Sequence, residues 1–127
     1  MFQNAVLALA VFSLSLVSVS YESLRAEPAK ILDVAYKSNP ATDYERERCK
    51  LDLYLPQSER GFPTLLWFHG GSIQAGDKAG RIAVDVATRF AESGVAVASV
   101  NYRLSPRAKF PAYLEDAAAS LAWVRRE

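Results

Sequence analysis

Cysteine and histidine are almost absent from this chain of 127 residues, which contains one of each, Cys49 and His69. A single cysteine excludes an internal disulfide and a thiolate metal site. We expect Cys49 to pack at the start of a strand, with a reactive thiol as the alternative. A single histidine leaves a histidine-based metal site without a second ligand of its kind. The spacing of the carboxylates suggests no site either, so we predict neither metal nor other cofactor.

An excess of charge of either sign is also missing. Fifteen lysines and arginines balance fourteen acidic residues, which leaves a net charge of +1. Arg46, Arg48 and Lys50 alternate with acidic residues and form no basic patch. Nucleic acid and acidic membrane surfaces are therefore not expected as partners. Half of the residues are hydrophobic, as is typical of a globular protein, and the length allows one domain at most.

Charged side chains are absent from the first twenty residues, which are rich in Leu, Val, Ala, Phe and Ser. Small residues follow at 18–20 and again at 24–26, where a signal peptidase could cut. This pattern predicts a signal peptide at residues 1–26 and a secreted or periplasmic protein, although the usual basic residue near the amino terminus is missing. An uncleaved membrane anchor is the alternative. After cleavage we expect no stable membrane span, and residues 27–127 form the folded part.

Four strands are predicted in that part. Residues 31–36 and 51–55 alternate between apolar and polar side chains, which indicates an antiparallel hairpin whose second strand is half buried. The connection between them includes a charged turn at 43–48. Residues 64–68 and 95–100 are continuously apolar, as expected of strands that helices cover on both faces in a parallel sheet. The pattern predicts an α/β fold that opens with a hairpin.

Two helices follow the two apolar strands. The first is predicted at residues 79–90, with Asp77 as its cap and Gly94 as its stop, and the second runs from residue 112 to the chain end. Each carries an apolar stripe at helical spacing, which we interpret as core packing. The stripes are Ile82, Val86 and Phe90 with Ala83 and Ala87 beside them, and Tyr113, Ala117, Leu121 and Val124.

The apolar run at residues 64–68 leads directly into His69, Gly70, Gly71 and Ser72. Glycine allows positive φ values and lets a ligand approach the main-chain N–H groups closely. Such a turn suits an anion. The alternative is a loose loop after a strand, since glycines are common in loops.

This stretch resembles the HGGG-type oxyanion segment of α/β-hydrolase esterases. Residues 51–56, 76–78, 100–106 and 110–116 resemble further segments of the same family in the same order. Together they are most similar to carboxylesterases of the hormone-sensitive-lipase and acetyl-esterase kind, over roughly residues 48–127. The resemblance implies the amino-terminal part of an α/β-hydrolase fold and a small-molecule carboxylic ester as substrate.

Enzymes of that family place a nucleophilic serine in a G-x-S-x-G turn, followed by an acid and a histidine. That turn is absent from these 127 residues, so by resemblance the chain stops just before its nucleophile and no catalytic residue is present. The resemblance implies that the backbone N–H groups of Gly70, Gly71 and Ser72 form the oxyanion hole and that His69 shapes the loop. Serine replaces the third glycine of the motif but keeps the backbone donor.

Two other interpretations of the loop are unfavourable. Ser72 as nucleophile with His69 as base requires a turn residue three positions away to aim its imidazole back along the chain. The spacing of Gly71 and Gly76 imitates a phosphate-binding P-loop, but Asp77 stands where the lysine is needed.

Several functional alternatives to an esterase stay open. A non-catalytic binding protein could keep the fold without the triad, and a peptidase or lactonase could use the same fold.

Glu115 and Asp116 are adjacent on a helix and diverge by about 100°, so they do not act as a catalytic pair. We expect Asp116 to anchor the loop at residues 102–103 instead.

Overall fold

The computed structural model describes residues 27–58 and 60–127. The predicted signal peptide lies outside the described residues. In the described part, four strands and three helices follow one another in chain order. They are β1 Ala29–Ala35, α1 Asp43–Arg48, β2 Lys50–Leu55, β3 Thr64–Phe68, α2 Arg81–Glu92, β4 Ala96–Val100 and α3 Ala112–Val124.

The strands form one mixed sheet in the order β1-β2-β4-β3. β1 pairs with β2 and β2 with β4 in antiparallel fashion, whereas β3 and β4 run parallel. The predicted hairpin and the α/β class are therefore confirmed. β3 forms one outer edge of this described sheet.

The two faces of the sheet carry separate apolar clusters. On one face, Ala87 and Ala91 of α2 pack against Tyr54 of β2 and Val97 of β4. The other cluster contains Cys49, which is 2% exposed, so its predicted packing at a strand start is confirmed. Its buried members are Tyr36, Cys49, Leu51, Ala98 and Val100, with Ala119, Trp123 and Val124 of α3 packed against them.

The predicted core stripes are confirmed for Ala83, Ala87 and Val124 and wrong for the exposed residues Ile82, Phe90 and Leu121. α2 buries Ala83, Ala87 and Ala91, whereas Ile82 is 71% exposed. The small alanine side chains let the helix lie close to the sheet, so the larger residues project sideways. α3 buries the polar residues Asp116 and Ser120 and leaves Leu121 exposed, because Asp116 has cationic partners below the helix. The buried faces of both helices thus lie beside the large residues of the apolar stripes.

Three further expectations also differ from the structure. Residues 43–48 form the short helix α1 rather than a turn; its N-cap is Thr42, whose Oγ1 accepts the Glu45 N–H at 3.2 Å. β2 is not half buried, since Asp52 is only 2% exposed. β3 is only partly covered, unlike the fully buried β4, because it lies at the edge. No helix in the described ranges has the length and hydropathy to cross a membrane.

Candidate functional site

The glycine-bearing loop lies at the carboxyl end of the parallel strand pair. β3 ends at Phe68, whose register partner is Val100, the last residue of β4. His69 and Asn101 therefore leave the sheet side by side. The carboxyl rim of parallel strands is where open α/β sheets bind their ligands.

Positive φ values dominate the turn itself. Gly71, Ser72 and Ile73 have φ values of 121°, 54° and 62°. The Gly71 carbonyl accepts the N–H groups of Gln74 at 2.9 Å and Ala75 at 3.1 Å, which closes one tight turn. A Cβ at Gly71 would lie 2.2 Å from the Ala75 oxygen, so only glycine fits there. A β-branched residue rarely adopts positive φ, and Ile73 is held in it by the Ser105 N–H, which donates to its carbonyl at 2.8 Å.

The amides that open this turn have no protein acceptor. Among residues 27–58 and 60–127, the N–H groups of Gly70, Gly71 and Ser72 donate no hydrogen bond. All three residues are exposed, and the space where a Cβ of Gly70 would stand is open. The structure thus places three neighbouring donors at the rim of the sheet, accessible from outside.

His69 holds this turn from below and is only 7% exposed. Its imidazole stacks on Tyr102 with ring centroids 4.6 Å apart, and the Tyr102 hydroxyl donates to the His69 carbonyl at 2.7 Å. The Nδ1 atom lies 2.9 Å from the Gly70 carbonyl oxygen, and Nε2 lies 3.3 Å from Nη2 of Arg48. Both ring nitrogens are therefore used in structural contacts.

Asn101 joins the loop to the segment that precedes α2. Its Oδ1 accepts the Lys78 N–H at 2.7 Å, and its Nδ2 donates to Asp77 at 2.8 Å. Asp77 also accepts the Ala79 N–H, while Gly80 occupies the N-cap of α2 without a side-chain cap. The predicted capping role of Asp77 is therefore wrong, because the helix begins at Arg81 and Asp77 fixes the preceding turn.

A buried ion pair connects the same segment to the hairpin. Lys78 Nζ lies 2.7 Å from Asp52 and 2.9 Å from Asp33. Burial disfavours the charged ammonium, but the hydrogen bonds to both carboxylates outweigh it and raise the pKa of Lys78. This partner explains why Asp52 is buried on a strand whose polar residues were expected to face solvent.

The predicted anchoring role of Asp116 is confirmed. Its carboxylate accepts the Arg103 backbone N–H at 2.9 Å and two guanidinium nitrogens at 2.8 and 2.7 Å. Lys37 donates to the same carboxylate at 2.6 Å. Burial disfavours the charged form, but these hydrogen bonds lower the pKa of Asp116 below its ordinary value. The loop after β4 is thereby held on α3.

Open space lies on both sides of the turn. A cleft of about 560 Å³ is lined by Trp67, Gly70, Gly71 and the first turn of α2. An apolar groove of about 160 Å³ lies on the other side, between Phe68, Ile73, Tyr102 and Tyr113. The turn thus stands between two surfaces that could receive the two halves of a small substrate.

Two further residues complete the site. Arg48 touches His69, Asp77 and Tyr102, and Asn101 bridges the loops, yet both lie outside the glycine motif. Their partners are 21 to 65 residues away, so no local pattern could reveal them.

Comparisons with known proteins agree with this geometry. The chain is similar to the tuliposide A-converting enzyme b1 of Tulipa gesneriana, 35% identical over 77 residues, 57% of this chain and 21% of that protein. It is also 36% identical over 64 residues to the gibberellin receptor GID1 of Oryza sativa subsp. japonica, 50% of this chain and 18% of that protein. The chain spans about a fifth of the length of these curated relatives.

A solved structure supports the fold. A truncated form of a carbohydrate esterase from gut microbiota superimposes with a TM-score of 0.67 at 24% identity, over 81% of this chain and 35% of that one. The mixed sheet and its helices therefore match part of an α/β-hydrolase fold. Residues 51–127 match the model of the BD-FAE family, and the chain belongs to that family.

Proposed function

We propose that this chain is the amino-terminal part of a secreted serine carboxylic ester hydrolase and that it supplies the oxyanion hole. The observation that carries the proposal is the set of three donors, Gly70, Gly71 and Ser72, at the rim of the parallel strands. Membership in an esterase family supports the same reaction. The substrate is a small to medium carboxylic ester, and no metal or other cofactor takes part.

In this reaction a serine hydroxyl gives its proton to the histidine base and attacks the ester carbonyl carbon, and the carbonyl electrons move onto its oxygen. When those electrons return, the alcohol leaves with the proton from the histidine, and water then hydrolyses the acyl-enzyme. The three N–H groups then donate to that negatively charged oxygen. Loss of one such donor costs serine hydrolases about 10² to 10³ in kcat. The serine, its acid and its histidine base belong to a segment other than these 127 residues, which contain no G-x-S-x-G turn.

The chain of 127 residues is therefore inactive on its own. An oxyanion hole without a triad retains at most about 10³ to 10⁴ of the rate enhancement over water. We expect no burst and no turnover with p-nitrophenyl acetate, and the same background for Ser72→Ala as for the wild type. A burst that Ser72→Ala removes would overturn the proposal.

The backbone donors are tested in the gene product that carries these residues together with a G-x-S-x-G serine. Gly70→Pro removes one N–H group, whereas Gly70→Ala keeps it and places its Cβ in open space. We expect kcat to fall about 10²-fold in the first variant and to change little in the second. Equal activity of the two variants would exclude the Gly70 N–H as a donor.

A second candidate is a non-catalytic binding protein. It is favoured by the similarity to GID1, which is a receptor. The nucleotide sequence beyond codon 127 separates the two candidates. A G-x-S-x-G remnant in any frame supports the hydrolase, and a clean stop without one supports the binding protein.

Secretion rests on the first 26 residues. We propose that they are removed by a signal peptidase, because charged side chains are absent from the first twenty and small residues follow. Mass spectrometry of the secreted or periplasmic protein should give an amino terminus near residue 21 or 27. A full-length protein in the membrane fraction would favour the anchor instead.

A further inference from the structure

Arg48 is the last residue of α1 and precedes the span that matches the family model. Its guanidinium is mostly buried, with 12% of the side chain exposed. Nε donates to the Tyr102 carbonyl at 3.1 Å, and Nη1 donates to Asp77 at 3.3 Å. Nη2 lies 3.2 Å from the Gly76 carbonyl and 3.3 Å from Nε2 of His69. One side chain thus reaches three segments around the glycine turn.

The contact with Arg48 selects one form of the His69 ring. A guanidinium has only donors, so Nε2 of His69 must be the acceptor and carries no proton. The proton of the neutral ring then lies on Nδ1, which donates to the Gly70 carbonyl at 2.9 Å. The tautomer of a histidine is set by the hydrogen bonds at its other nitrogen. Arg48 therefore provides the donor that His69 needs for Gly70.

The bond to the Gly70 carbonyl fixes the direction of the next amide. The Gly70 carbonyl and the Gly71 N–H belong to one planar trans peptide unit, in which the two groups point in opposite directions. With the carbonyl oxygen turned to the imidazole, the Gly71 N–H is turned away from it. That amide donates to no acceptor among the described residues and lies at the exposed rim.

We infer that Arg48 is a positioning residue of the oxyanion loop: it holds His69 in the Nδ1–H tautomer and thereby aims the Gly71 N–H outward. That the outward Gly71 N–H serves catalysis rests on the proposed function, whereas the outward direction of the N–H group does not. Arg48 touches no substrate in this scheme and acts only through His69 and the Gly76 carbonyl.

The test uses the 127-residue chain and the solid-state ¹⁵N spectrum of its imidazole, which can also be recorded on a self-associated protein. Because His69 is the only histidine, the two ring nitrogens need no further assignment to a residue. Spectra are recorded at the alkaline end of a pH series, at which the ring pattern no longer changes. The wild type, Arg48→Met and Arg46→Met are compared. Arg46 lies on the same short helix, and among the residues that the structure describes its side chain bonds to Asp43 and the Pro40 carbonyl and to no part of the glycine turn, so it is the matched control.

We expect the Nδ1–H pattern in the wild type and in Arg46→Met. Arg48→Met should shift both ring nitrogens toward the Nε2–H pattern and move the Gly71 amide resonance. Unchanged ring and Gly71 resonances in a folded Arg48→Met protein would overturn the inference.

The wild-type spectrum tests the inference even if Arg48→Met does not fold. An Nε2–H pattern in the wild type contradicts the inference directly. Ring ¹⁵N shifts of the Nδ1–H form, together with a through-space cross-peak between the Arg48 guanidinium and the His69 ring, support it. None of these results depends on ester hydrolysis. Failure of this inference would therefore leave the proposed function standing, and failure of the proposed function would leave this inference standing.

Discussion

Gly76 lies so close to His69 that a Cβ on it would stand 2.2 Å from Nδ1 of the imidazole and 2.4 Å from the Gly70 oxygen. The absence of a side chain at position 76 thus makes room for the hydrogen bond that orients the glycine turn. The Gly-Asp-Lys segment at 76–78 supports the candidate site through this close approach as well as through its charges.

Gly76→Ala should therefore destabilise the protein more than Gly61→Ala. Both glycines have positive φ, which costs alanine about 1 to 2 kcal/mol, but nothing lies within 4 Å of a Cβ at Gly61. We expect the overlap at Gly76 to add about 1 to 3 kcal/mol to the loss, measured as the free energy of unfolding in urea. An equal decrease in the free energy of unfolding for the two variants would show that the loop shifts to accommodate the Cβ at position 76 without loss of stability.

Asp116 is predicted to hold the loop after β4. Asp116→Ala leaves Glu45 as the remaining buried carboxylate beside Arg103 and Lys37, so we expect a loss of up to about 3 kcal/mol, the lower value for a buried pair that loses one partner. Hydrogen exchange at the Arg103 amide should become faster than in the wild type. Glu115→Ala is the control, because Glu115 is exposed and lies 3.6 Å from Arg103. Equal exchange in the two variants would exclude the anchoring role.

The same carboxylate gives stability a pH dependence of defined sign. Burial opposes the charged form of Asp116, but its hydrogen bonds prevail and lower the folded-state pKa below the ordinary aspartate value of about 3.9. The stabilisation is present above that ordinary value and is lost as the pH falls through the folded-state pKa. The Tm from circular dichroism should fall more steeply below about pH 4 in the wild type than in Asp116→Asn. Parallel slopes would contradict this assignment.

Cys49 is predicted to be inert while the protein is folded. Burial raises the pKa of its thiol to about 11, and the side chain belongs to the apolar cluster beside α3. Reaction with an aromatic disulfide reagent at pH 8 should be slower than in urea by on the order of 10³-fold or more, because it requires unfolding. Rapid labelling of the native protein would revive the reactive-thiol alternative.

The outer edge of β3 is predicted to drive self-association. β3 is apolar from Leu65 to Phe68, and the described sheet offers its outer side no strand. Unpaired apolar edges act as templates for further strands. Residues 27–127 should elute from a sizing column as oligomers or aggregates. A monodisperse monomer with cooperative melting would contradict this expectation.

Sequence patterns predicted the fold well where a segment depends on its own composition. β4 is apolar except for Ser99 and fully buried, and Gly94 ends α2 with a φ of 93°. The sequence patterns gave wrong predictions where contacts with residues distant in the chain determine which side chains are buried. Asp52 and Asp116 are inside because Lys78, Arg103 and Lys37 meet them, and no local pattern contains those pairs.

The residues of the candidate site also fall into a group that the sequence predicts and a group that it does not. The glycine motif identified the turn at residues 69–72, since positive φ and open amides are properties of those residues themselves. Arg48 remained hidden because its contacts join segments up to 54 residues apart. Helix α1 was missed for a related reason: it has six residues and no apolar stripe.

The most direct measurement is a crystal structure of the gene product that includes the G-x-S-x-G serine, after reaction with an alkyl phosphonate ester. The account predicts a phosphonyl oxygen about 2.7 to 3.1 Å from the backbone nitrogens of Gly70, Gly71 and Ser72. A phosphonyl oxygen bound elsewhere, with those amides paired to their own backbone, would contradict it.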